Sequence, residues 1–365
     1  MPRILIAPSA YKGTLSPAQV SVAIAKGARR SGRQLDLTLL PLADGGDGTI
    51  ESLNMAIGGE IHQVTVAGPL GHPALATWLK LPGKAVVELA SSSGIALLAG
   101  KQLQPLSAHT FGLGEVLAAC IEQGERHIVV AVGGSASTDG GTGALRALGA
   151  TFLDSGGAEL PLGGGSLTNL ASCNLKALEQ IADNISIQIA TDVTNQLLGV
   201  TGAALIFAPQ KGATSSQCLL LDSALSKLAD ILELQTGDIF RNRPGSGSGG
   251  GTAFGLACTL KAEIISGFHW LSSQINLSEE IGKADLVVSG EGHLDRQSAM
   301  GKGVGQLAKL CAEAKRPLWI VAARSQEDLD WVDFGIERVI TVARPDEIIG
   351  SEQIAEATEA AFNSL

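Results

Sequence analysis

The chain has 365 residues, enough for two domains, or one elaborate one, with a sizeable core, and too many for a disulfide-stapled miniprotein. Glycine supplies 46 residues, about one in eight against a usual roughly 7%, while aromatics are only 4%, which favours an α/β enzyme rich in glycine loops. Lys+Arg 26 against Asp+Glu 36 gives a net charge of −10 with the basic residues scattered, so nucleic acid is not an expected partner.

The first strand-like run, Ile4–Ala7, is too short for a signal segment, and nowhere do about 18 apolar residues follow one another. A protein of the cytoplasm without a membrane segment is expected. Lys12 stands just past that strand, either as an anion contact or as a solvated lysine. Ser16, Pro17 and Gln19 then spell a capping box, and Val20, Ala23, Ile24 and Gly27/Ala28 share one face of the helix it opens. After a strand at Leu35–Leu40 comes ADGGDGT, Ala43–Thr49, whose Asp44 and Asp47 suit a divalent cation or a polyol. Asp47 equally suits an N-cap, and Asp44 is the better functional residue.

Ala85–Leu89 and His127–Val132 read as further strands, apolar on both faces as in a helix-covered parallel sheet. The loop after the second is GGSASTDGGTG, Gly133–Gly143. Its glycines can turn amides toward an anion, Ser135, Ser137 and Thr138 add hydroxyls, and a helix at Thr142–Leu148 would favour negative charge at its start. An ordinary tight turn is the plain alternative. Asp139 beside a phosphate would need a metal ion between them or a proton, so it points to metal or acid–base work.

Strand Ile185–Ala190 runs into TDVTNQLLG, where Asp192 can take a hydroxyl proton and Asn195 can orient a neighbour, or both can simply form a turn. Ala203–Phe207 reads as a strand, Lys211 follows in PQKGAT, and a helix with Leu221, Leu225, Leu228 and Leu232 follows Ser216. Arg241–Gly255 is the most glycine-dense stretch; no comparable linker divides the chain into halves, which suggests interleaved domains. Asp285–Val288 ends in SGEGHLD, where Glu291 between glycines suits a polar or metal contact and Asp295 suits a cap, and Lys302 follows. Leu318–Ala322 and Arg338–Val342 complete the strands. The five cysteines, Cys120, Cys173, Cys218, Cys258 and Cys311, lack zinc-pair spacing and read as reduced core thiols. Gly245, Gly247 and Gly250 match a dinucleotide fingerprint without the strand it needs, and no GK pair is followed by Ser or Thr.

In order, APSAYKGTLS, PLADGGDGT, SSSGIALL, HTFGLGE, GGSASTDGGTGALRALGA, TDVTNQLLG, PQKGA, the glycine run and DLVVSGEGHLDRQSAMGK resemble the bacterial type I glycerate kinases over nearly the whole chain. The resemblance implies two α/β domains with a cleft between them: a discontinuous flavodoxin-like domain, 1–62 plus 284–365, and an inserted one, 63–283. It implies phosphorylation of glycerate by ATP with Mg²⁺, leaning to 2-phosphoglycerate, with small molecules as partners; a homodimer is one open assembly state. Carried over by residue, Asp192, Lys12, Lys211 and Asp44 are catalytic, with Asp192 as base and Asp44 or Asp139 as its alternatives. Gly45, Gly46, Ser92, Gly133, Gly134, Ser135, Asn195, Gly290, Glu291, Gly292 and Lys302 hold substrate or nucleotide, and Asp139 and Glu291 hold metal. Ser9 stands where the family usually has Asp, Thr138 where it has Asn, Gln196 where it has Pro and His293 where Arg is common. These departures keep open a kinase for a related hydroxy acid or one that forms 3-phosphoglycerate. A non-catalytic sugar-acid sensor is the alternative from another class.

Overall fold

A computed structural model describes residues 1–11, 13–296, 298, 303–326, 328–342 and 349–364, so Lys12 and Lys302 lie outside the described residues. The strands are β1 (Arg3–Ile6), β2 (Asp36–Leu39), β3 (Glu60–Ala67), β4 (Pro73–Leu81), β5 (Lys84–Glu88), β6 (His127–Ala131), β7 (Thr151–Leu153), β8 (Ser172–Asn174), β9 (Ser186–Ala190), β10 (Glu263–Ile265), β11 (Leu286–Leu294), β12 (Leu318–Ser325) and β13 (Arg338–Thr341). They divide between two compact units. The first comprises Met1–Asp44, Glu51–Gly58 and Phe268–Leu365; the second comprises Gly45–Ile50 and Gly59–Gly267.

The first unit carries a five-stranded parallel sheet in the order β13-β12-β11-β1-β2. Numbered within the unit this is 2-1-3-4-5, the flavodoxin-like doubly wound order. β1 is apolar throughout after its first residue because both faces are covered, and Ile4, Leu5 and Ile6 are all buried. The helix Pro17–Arg30 begins as the sequence foretold: Gln19 N donates to Ser16 Oγ at 3.2 Å and Ser16 N donates to Gln19 Oε1 at 2.9 Å. Its buried face includes Gly27, where a Cβ would collide with the Ala355 carbonyl of the helix Ser351–Asn363. β11 runs through Ser289, Gly290 and Glu291 to Leu294, six residues beyond the expected end at Val288, because β12 pairs with it as far as Ser325. Glycine and glutamate are weak strand formers, and here the neighbouring strand overrides that weakness.

The second unit carries a six-stranded sheet ordered β10-β9-β6-β5-β4-β3, parallel from β10 to β5 and antiparallel from β5 to β3. Its core includes Trp78, Val87, Leu113, Ile128, Val130, Ile187, Leu225 and Phe254. The β3–β4 hairpin was not anticipated, although Gly68–His72 supplies turn residues between two alternating runs. Ala203–Phe207 is a short helix, not a strand. An apolar run of five residues has no period long enough to separate the two. The helix Ser215–Thr236 starts from a second capping box, Thr214 with Gln217, and buries Leu221, Leu225, Leu228 and Leu232. All five cysteines are free and buried, and no helix among the described residues is long and apolar enough to cross a membrane.

The unit boundaries differ from 62/63 and 283/284. β3 pairs along its whole length with β4, which draws Glu60–His62 into the second unit. The helix Leu277–Lys283 packs on β1 in the first. Gly45–Ile50 goes with the second unit, where Gly133 N donates to Gly45 O at 3.1 Å and Ile50 N to Glu88 Oε1 at 2.6 Å.

Candidate active site

In the second unit three loops meet at the carboxyl ends of β5, β6 and β9. Gly133 lies so close to Gly46 that a Cβ would stand 2.5 Å from the Gly46 Cα, and a Cβ on Gly45 would overlap the Ala190 carbonyl at the end of β9. Gly45 also has φ +81°, a conformation that glycine adopts without the cost other residues bear. From the third side, Ile95 N donates to Gly134 O at 2.9 Å and Ala136 N to Ser93 O at 3.0 Å. This brings Ser92 beside the Gly133 loop. Ser92 itself is fully buried and donates to Leu89 O at 3.3 Å.

Lys211 reaches into this loop from beneath. Only 3% of it is exposed, and its Nζ donates to Ser135 Oγ at 2.7 Å and to Ser137 O. A solvated surface lysine is thereby excluded. Burial pushes its amine down from 10.5 to about 7, against the opposing pull of Asp139. Two hydroxyls of the same loop, Ser137 Oγ and Thr138 Oγ1, are buried without a hydrogen-bond partner.

Asp139 is fully buried. Its Oδ2 accepts from Thr110 N at 2.9 Å, Thr110 Oγ1 at 2.8 Å and Gly143 N at 3.1 Å, and its Oδ1 accepts from Gly141 N at 3.2 Å. The anion at the start of the helix Thr142–Ala147 is therefore the protein's own carboxylate. With both oxygens given to these donors and no exposure, Asp139 does not fit a metal ligand.

Asp192 is half-buried just past β9 and accepts from Ser266 Oγ at 2.7 Å. Asn195 donates from Nδ2 to Thr201 O at 2.7 Å, and its carbonyl accepts from Gly247 N at 3.0 Å. The glycine run is not a linker: Gly140 N donates to Gly250 O at 3.1 Å, Thr191 Oγ1 donates to Ser248 Oγ at 3.0 Å, and a Cβ on Gly250 would overlap Ser137 O. It packs behind the other loops of this unit.

In the first unit the strand order reverses between β1 and β11, where doubly wound sheets place ligands. Ser9 N donates to Gly290 O at 2.9 Å there, and Ser289 Oγ donates to Ala7 O at 2.7 Å. Gly290 answers to packing, since a Cβ would stand 2.8 Å from Val20 Cγ1 and 2.9 Å from Pro8 Cβ. Glu291 and Gly292 are half-buried, and Asp44 is exposed after β2. Burial first, then the charge of Glu291, raises the Tyr11 phenol, whose OH donates to Val321 O at 2.8 Å. Asp295 caps, accepting from Ser298 N at 2.7 Å.

Sequence reasoning missed Thr110 as the partner of Asp139 and Glu88 as the acceptor for Ile50. Each carries a faint signal: a threonine just before a helix, and a charge closing an apolar strand.

The glycerate kinase family model matches residues 4–363. The chain belongs to the glycerate kinase family. It is 36% identical to the glycerate 2-kinase of Escherichia coli K12 over 93% of this chain and 90% of that one. It is equally similar, with the same coverage, to a glycerate kinase of Bacillus subtilis 168. A crystal structure assigned as glycerate kinase 2 from Salmonella typhimurium LT2 superposes with a TM-score of 0.82 at 32% identity, covering 99% of this chain and 97% of that one. As a glycerate kinase the protein is a phosphotransferase acting on small molecules, and the expected α/β fold class is the one observed.

Proposed function

We propose that the protein transfers the terminal phosphoryl group of ATP to the O2 hydroxyl of glycerate, giving 2-phosphoglycerate, and that it does so in the cytoplasm. The observation that carries this reading is Lys211, a cation-forming group enclosed beneath a glycine turn at a strand's carboxyl end. Such a group is costly to bury unless it serves a negative charge. The choice of O2 follows the Escherichia coli relative, which is a glycerate 2-kinase.

Phosphoryl transfer demands positioning and charge stabilisation more than covalent chemistry. In this reading Gly45, Gly46, Gly133, Gly134 and Ser135 let phosphates approach the backbone closely. Lys211 supplies positive field from below, and Asp192, set by Ser266, accepts the glycerate hydroxyl proton. Asn195, braced on Thr201, fixes the loop that carries Asp192. Asp44, Lys12, Lys302, Gly290, Glu291 and Gly292 remain proposed contacts. Bound Mg²⁺ would offset phosphate charge; among the described residues no group of three or more His, Cys, Asp or Glu could hold it. Its ligands would then be mainly nucleotide oxygens and water, with at most a single carboxylate such as Glu291.

A ³¹P spectrum of the product from D-glycerate and Mg·ATP tests the proposal. The 2-phosphoglycerate resonance is expected. The 3-phosphoglycerate resonance would overturn the regiochemistry, and thermal stabilisation by glycerate without any phosphate ester would favour a sensor.

A further inference from the structure

Lys211 cannot be understood alone. Its amine lies under the Gly133–Ser135 turn with 3% exposure, and its two acceptors are Ser135 Oγ and Ser137 O. Two residues further on, Asp139 is held by four donors, two of them from Thr110. Thr110 is itself fully buried, and its Oγ1 also accepts from Ala144 N at 3.0 Å. One threonine thus links the carboxylate, the helix Thr142–Ala147 and the start of the helix Phe111–Glu122.

We propose that Thr110 and Asp139 are positioning residues for phosphoryl transfer, which fix the Ser135–Asp139 segment so that Lys211 acts through the Ser135 hydroxyl and its field, without touching the transferred group. This rests on the kinase reading above. The geometry has two consequences. The Ser135 hydroxyl accepts a hydrogen bond from Lys211, so its own O–H is the donor that remains; it now makes only a long bond to Ser137 O at 3.4 Å, which an arriving anion would replace. The segment from Ser135 to Asp139 is gripped at both ends, by Lys211 at one and by Thr110 at the other. Besides Lys211, the charged and titratable groups around Asp139 include His109, which in turn feels Arg146 and Glu115. Loss of the Thr110 hydroxyl removes one of four donors to a buried carboxylate and leaves the backbone donors in place. The segment then shifts without losing its fold.

The test compares kcat and both KM values for wild type, Thr110→Val and Thr110→Ser. Thr110→Val is expected to lower kcat by roughly tenfold, short of the ~100-fold that a 1 Å misplacement near the chemistry can cost. Both KM values should stay within about twofold, and Thr110→Ser should recover most of kcat. An unchanged kcat with only a lower melting temperature would overturn the proposal, as would equal loss in both variants. Should Thr110→Val fail to fold, a wild-type crystal structure with nucleotide and glycerate decides it. Ser135 Oγ between Lys211 Nζ and the nearest phosphoryl oxygen is expected, and a direct Lys211 contact would overturn it. If wild type makes no phosphoglycerate, the kinase reading has failed, and the bound-nucleotide structure still reports on Lys211 by itself.

Discussion

Lys211 Nζ donates to Ser135 Oγ at 2.7 Å across 76 positions of sequence, from a place where only 3% of the lysine is exposed. A buried amine of this kind links stability, ligand binding and turnover, and each link can be measured.

With its amine lowered from 10.5 to about 7, Lys211 binds a proton less readily in the folded than in the unfolded chain. Its cost to stability is full below pH 7, shrinks as pH rises through the window between 7 and 10.5, and vanishes above it. Lys211→Met should therefore flatten the rise of unfolding free energy with pH over that window while lowering kcat by ~100-fold or more. Urea denaturation from pH 7 upward, paired with turnover at pH 7.5, checks both; a retained pH slope would assign it to another group.

Binding of an anion should return the proton. Nucleotide binding near pH 8 is expected to take up part of one proton per site, because negative charge over the Gly133 turn favours the ammonium form. Calorimetry in two buffers of different ionisation heat measures that uptake. Lys211→Met should abolish it.

Asp192→Asn should lower kcat far more than it raises KM for ATP, since the amide keeps the hydrogen bond from Ser266 but cannot take a proton. An unaltered kcat would remove Asp192 as the base.

Two glycines separate close approach from general flexibility. Gly133→Ala places a methyl 2.5 Å from the Gly46 Cα, against the backbone of Gly45 and Gly46, and should cost about 1–3 kcal/mol along with most of the activity. Gly282→Ala, in the helix Leu277–Lys283 with open space around it, should instead stabilise by about 0.5–1 kcal/mol and leave turnover intact. Thermal melts and initial rates distinguish the two.

Much of this was legible because local chemistry and fold agree. Ser16 with Gln19 fixes a helix start, β1 and β6 announce a covered sheet, and glycine clusters mark where loops meet. The illegible parts depend on distant partners. Nothing near Asp139 reveals that Thr110, 29 positions earlier, will take its charge, so a metal ligand was the natural expectation. Lys211 looks like any lysine in a turn until Ser135 and Ser137 are seen above it. β11 outruns its apolar residues because β12 pairs with it, and pairing is not written in either strand alone.

The sheet order of the first unit also bears on how the chain is made. β1 lies between β2 and β11, with Ile4 opposite Leu286, so this central strand waits for a neighbour made long after it. The second unit, apart from Gly45–Ile50, is one unbroken stretch and can condense on the ribosome first. A nascent polypeptide stalled far enough past Gly267 for that residue to clear the ribosomal tunnel should hold a protease-resistant second unit behind an earlier segment still open to cleavage.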